Sequence, residues 1–118
     1  MRISNDDIIN GPVDLSANWT SDPIWLGHLY AYSVQLKFSG APNGVFRLQC
    51  SNDKETDVST AAGVVNWTLY AGSSQVITEA GDHTWSVSDA GYRWVRVQWL
   101  AGLGTGSLDS AKFNAKGV

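Results

Sequence analysis

Hydrophobic side chains recur at every second position along much of the chain, and no segment carries a convincing helical period. The clearest stretch runs from Leu29 to Phe38. Tyr30, Tyr32, Val34, Leu36 and Phe38 fall on one face there, and Ala31, Ser33, Gln35 and Lys37 on the other. This pattern predicts an antiparallel strand with one side on a core and the other in water. The turn residues Ser39-Gly40-Ala41-Pro42-Asn43-Gly44 follow, and then Phe46, Leu48 and Cys50 point inward while Arg47, Gln49 and Ser51 point outward. A hairpin is expected. Ser51 to Gly63 is polar, charged and rich in small residues, and reads as a surface loop. Beyond it, Trp67, Leu69 and Ala71 alternate with Thr68 and Tyr70. Val76-Ile77 is a short apolar piece, and Trp85 and Val87 alternate with Thr84, Ser86 and Ser88.

The last third predicts a second hairpin. Val95, Val97 and Trp99 face inward, a glycine-rich loop spans Ala101 to Gly106, and a final strand turns Ala111, Phe113 and Ala115 inward. Leu108 has the opposite parity to Phe113, so either a bulge separates them or Leu108 belongs to the turn. Shorter candidates near Ile8-Ile9, Val13-Leu15 and Ile24-Leu26 bring the count to about eight to nine strands. One-sided sheets must cover their apolar faces, and with no helix to do so the fold expected is an all-β, antiparallel two-sheet sandwich. A chain of 118 residues suffices for one core, hence a single domain. Residues 29–118 form its body. Residues 1–28 are the least patterned and read as an N-terminal edge strand or as an arm that orders on a partner.

Composition narrows the function. Cys50 is the sole cysteine, so no intrachain disulfide and no four-cysteine zinc site can form, and its parity predicts a buried thiol. Met1 to Asn10 is polar and acidic where an export signal needs a basic start and an apolar run, and no stretch approaches the roughly 20 apolar residues of a membrane-spanning helix. Synthesis in the cytoplasm without export by a signal peptide, and no membrane partner, are expected. The net charge is -3 and the eight Lys and Arg residues are scattered, which argues against nucleic acid. Asn18-Trp19-Thr20 and Asn66-Trp67-Thr68 spell glycosylation acceptors, but without export they carry no weight.

Catalytic chemistry finds little to use. His28 and His83 lie at no ligand spacing from Cys50 or from each other and read as surface or capping residues, so neither a metal nor another cofactor is expected. No Gly-x-Ser-x-Gly elbow marks a nucleophile. Asp53, Glu55 and Asp57 alternate as in a calcium loop, but the required Gly and the closing Glu are missing. The chain is therefore expected not to be an enzyme. Six Trp residues are the informative excess. Trp67, Trp85 and Trp99 have inward parity. Trp94 points outward with Arg96 and Gln98, and Tyr70 points outward beside Trp67. Trp94, Arg96, Tyr70 and Trp25 thus form the candidate partner-binding surface, with the makeup of a protein-interface anchor and also of a sugar-stacking platform. The competing reading covers Trp94 with a neighbouring loop or with the first 27 residues.

Tyr32-Ser33-Val34-Gln35, the run from Gly44 to Asp53, and Val65-Asn66-Trp67-Thr68 resemble small virion-associated proteins of tailed bacteriophages. So do Ala90 to Val97, Gly104 to Leu108 and Phe113 to Gly117, which brings the likeness to about three quarters of the chain. The resemblance implies a jelly-roll-like sandwich on the outside of a virion, as in capsid decoration proteins and head-fibre bases. It also implies that the N-terminal region, outside the match from Met1 to Gly27, makes the particle contact. The partner would be the major capsid protein or another virion protein, bound in many copies so that modest contacts add through avidity. Exposed β edges allow a homo-oligomer, a trimer or dimer. The alternative is a carbohydrate-binding or host-adhesion module on a virion tail or fibre.

Overall fold

The computed structural model describes residues 2–27, 29–53, 66–88 and 90–117, all of them in strands, turns or loops. One sheet runs in the order β1 (Arg2–Asp7), β11 (Ser107–Gly117), β5 (Leu29–Ser39), β9 (Gly81–Val87), with β2 (Val13–Asp14) also on β11. The other runs β3 (Trp19–Thr20), β10 (Trp94–Ala101), β6 (Gly44–Ser51), β7 (Thr68–Leu69), with β4 (Ile24–Trp25) on β10 and β8 (Gln75–Ile77) on β6. The pairs β1 and β2, β3 and β4, and β7 and β8 each share one partner, so each pair is a single interrupted strand. Counted so, eight strands remain among the described residues, all antiparallel, in the orders first-eighth-third-sixth and second-seventh-fourth-fifth. That wrapping is the jelly roll.

The inward parities of the two sheets meet in one core. Val34, Leu36, Phe38, Trp85, Val87, Leu108 and Phe113 come from the five-stranded sheet, and Phe46, Leu48, Val95, Val97 and Trp99 from the six-stranded one. Phe46 packs on Trp99 with ring centroids 4.4 Å apart and on Phe38 at 5.6 Å. Both fully inward indoles keep their donors satisfied: Trp99 Nε1 donates to Leu15 O (2.9 Å) and Trp85 Nε1 to Ser73 O (2.8 Å). A buried N–H left without a partner would cost about 1–3 kcal/mol, so these bonds are what allow Trp in the interior.

Both expected hairpins are absent. β5 and β6 lie in different sheets, as do β10 and β11, so each turn is an arch that carries the chain over the edge of the core. Alternation tells which residues face inward but not which strand lies alongside, and Phe38 meets Phe46 across the core rather than beside it. The two arches bond to each other instead: Gly102 N donates to Asn43 O (2.7 Å) and Thr105 N to Ala41 O (2.9 Å). Gly106, at φ +125°, sits so close that a Cβ there would lie 2.5 Å from Ser39 O. This contact accounts for the glycine-rich loop.

Leu108 is fully buried, and a register shift between Leu108 and Ser110 marks the bulge that reconciles its parity with Phe113. A second shift lets Lys116 face Ala31 and Gly117 face Leu29, which skips Tyr30. Tyr30 is therefore exposed rather than inward, and Ala31 is buried.

Candidate functional site: the outer face of the six-stranded sheet

Cross-strand partners share a face of a sheet, so the register reads out the outer surface directly. It forms four rungs: Trp25, Trp94 and Ser51; then Arg96, Gln49 and Leu69; then Thr20, Gln98 and Arg47; then Leu100, Val45 and Val76. The central strands repeat Arg-x-Gln, as Arg47-Leu48-Gln49 and Arg96-Val97-Gln98, and because they run antiparallel each Arg faces a Gln. Arg96 Nε donates to Gln49 Oε1 (2.7 Å) and Arg47 Nε to Gln98 Oε1 (2.6 Å). The result is a square of two guanidinium and two amide groups, with the charges on its diagonal. Burial lowers the Arg96 pKa from its ordinary value, and a guanidinium keeps its charge in proteins.

Aromatic groups flank this square. The Arg96 guanidinium lies 4.2 Å from the centroid of the Trp67 ring, a cation–π contact. Trp25 is 45% exposed, and its ring packs against Gly27, where a Cβ would come within 3.1 Å of it. Leu69 and Val76 are exposed beyond.

The candidate residues fare unequally. Trp25 and Arg96 lie on this face as expected. Trp94 has the outward parity expected but is only 6% exposed, covered rather than displayed, with its Nε1 donating to Asp53 O (2.9 Å). It supports the face and offers a partner little surface. Tyr70 does not join the face. It packs against the core, edge-on to Tyr92 at 5.8 Å, whereas Trp67 and Leu69, expected inward, lie outside. One step of register on a short strand reverses every side chain on it. Tyr92, which the alternation did not single out, hydrogen-bonds Tyr32 through their hydroxyls, and burial pushes both phenols well above their ordinary range. Cys50 is half-buried rather than sealed, and partial burial raises its thiol.

The remaining candidates take structural places. His83 is half-buried against Trp85, with centroids 4.8 Å apart, rather than on the open surface. His28 lies outside the described residues, as do Glu55 and Asp57. Asp53 accepts from Asn66 N (3.1 Å) and Asn66 Nδ2 (2.6 Å), and Asn18 Oδ1 accepts from Ala101 N (2.8 Å). Among the described residues no group of three or more His, Cys, Asp or Glu side chains could hold a metal.

The opposite surface is of another kind. On the five-stranded sheet the outward positions include Ser33, Gln35 and Lys37 of β5, Asp82, Thr84 and Ser86 of β9, and Ser110, Lys112 and Asn114 of β11. Lys112 pairs with Asp7 at 2.9 Å, both well exposed. Such a surface is polar and of mixed charge.

No protein-family profile and no curated protein matches the chain in sequence. Among solved structures it is similar to the SPBc2 prophage-derived protein YomS, with a TM-score of 0.58 and 14% identity over 97% of this chain and 92% of that one. It is similar to a protein of the Bacillus endospore appendages, described as disulfide-linked pili, with a TM-score of 0.52 and 12% identity over 98% of this chain and 88% of that one. Chitosan-binding module 1 of a Paenibacillus sp. IK-5 chitosanase/glucanase gives a TM-score of 0.49 and 19% identity over 93% and 97%. At such identities the likeness is one of fold, which the chain shares along nearly its whole length with a prophage-derived protein and a protein of endospore appendages.

Proposed function

We propose that this protein is a non-enzymatic structural protein of a tailed-phage particle, a decoration or accessory subunit held on the outer capsid surface. The observation that carries the reading is the unlikeness of the two outer faces of one sandwich: polar and of mixed charge on the five-stranded sheet, aromatic and cationic on the six-stranded one. A displayed subunit needs one side to hold and one to present, and a sandwich puts them back to back. The five-stranded side faces the shell. Its edge strand β1 belongs to the N-terminal stretch that the virion-protein resemblance assigns to particle contact, and β1 pairs with β11 alone. The fold shared with a prophage-derived protein supports the same reading.

Quantitative peptide mass spectrometry of purified particles tests it. The expected result is a copy number on the scale of the shell protein, and a chain missing from the particle overturns the proposal. The Trp67–Arg96 stack favours a second reading, an adhesion module on a tail or fibre. Immunogold labelling separates the two, because shell-wide label supports decoration and label confined to the tail supports adhesion.

A further inference from the structure

We propose that the outer face of the six-stranded sheet binds a carboxylated polysaccharide, with Arg47 and Arg96 holding carboxylates and Trp25 stacking on a sugar ring. Charge is the first argument. The chain is net negative, yet the outward residues of the four rungs include two arginines and no acid. Each guanidinium is engaged through Nε by a neutral Gln, and neither forms an ion pair with another described residue. Two planar forks are thereby oriented with no acid among the described residues neutralising them, and a carboxylate is the group that a fork accepts in bidentate fashion.

Shape is the second argument. Successive rungs are spaced about 7 Å apart, so the path from Trp25 past Arg96 to Arg47 matches the length of several linked rings rather than one small molecule. Trp25 stands half-exposed with its ring packed against Gly27, and its indole gives a flat apolar surface for the C–H face of a sugar. Gln49 and Gln98 use their oxygens on the arginines, which directs their amide N–H groups to hydroxyls. An extended acidic peptide suits this face less, because peptides join sheets at their edges through backbone bonds and this face offers side chains alone.

The test is affinity electrophoresis of the full chain in gels containing polygalacturonate, alginate, hyaluronate or polysialate, with dextran, methyl-esterified polygalacturonate and poly-L-glutamate as controls. Retardation by at least one of the four acidic glycans is expected, with dextran, the methyl ester and poly-L-glutamate markedly weaker. Trp25→Ala and Arg47→Gln are each expected to weaken the bound glycan by about tenfold. Arg96→Lys keeps the charge but loses the fork, and is expected to weaken it measurably while the circular dichroism stays that of the parent. Retardation by none of the four overturns the proposal. So does equal retardation by poly-L-glutamate, which points to an acidic protein surface, and so does unchanged affinity in Arg47→Gln together with Trp25→Ala. Particle localisation does not enter this measurement, so it and the structural reading fail independently.

Discussion

Trp99 has no exposed surface, stacks on Phe46 and donates to Leu15 O, so a single side chain ties the six-stranded sheet to the loop that follows β2. Trp99→Ala removes the ring and leaves that carbonyl unpaired, and is expected to cost about 3–5 kcal/mol in a denaturant titration. His83 makes a prediction in pH. Burial lowers its pKa below the usual value of 6.5, partly opposed by Asp82, and its buried Nε2 has no hydrogen-bond partner among the described residues. Protonation is then easier in the unfolded chain, so the unfolded state binds more protons between the folded pKa and 6.5. Stability is expected to fall as pH drops through that window and to level off below it. His83→Gln should flatten that part of a stability-versus-pH curve, and an unchanged slope would remove His83 as its source.

At the scale of elements, the arches decide the topology. Gly106→Ala places a Cβ against Ser39 O at a backbone angle that L side chains avoid, and a loss of roughly 1–3 kcal/mol is expected as a shift in the unfolding midpoint. The sequence made the inward residues legible in β5, β6, β10 and β11, because burial of one face imposes a period of two over long strands. Lateral neighbours were not legible, since Phe38 and Phe46 would show the same alternation in a hairpin as in an arch. β7 is two residues long, so nothing local fixes its register, and Trp67 and Tyr70 take the faces opposite to those their alternation predicts. For Trp94 the parity holds and the competing, covered reading applies: it is buried, and its Nε1 donates to Asp53 O, 41 residues away along the chain, which no local pattern reveals. The central square did leave a signal: Arg-x-Gln occurs twice at outward parity, on the two strands that prove to be neighbours.

At the scale of the whole molecule, the sandwich places two unlike faces back to back. The lone ion pair among the described residues, Lys112 with Asp7, lies on the five-stranded side, where exposure makes it worth little to stability but leaves charges able to orient a contact. The aromatic and cationic face lies on the other side, so a subunit held by one sheet presents the other outward. The most direct measurement is chemical footprinting of purified particles against the free protein, with hydroxyl radicals for tryptophan and acetylation for lysine. With the five-stranded sheet against the shell, Trp25 is expected to be modified equally in both states while Lys37 and Lys112 are protected on the particle. Protection of Trp25 with both lysines still reactive would contradict it.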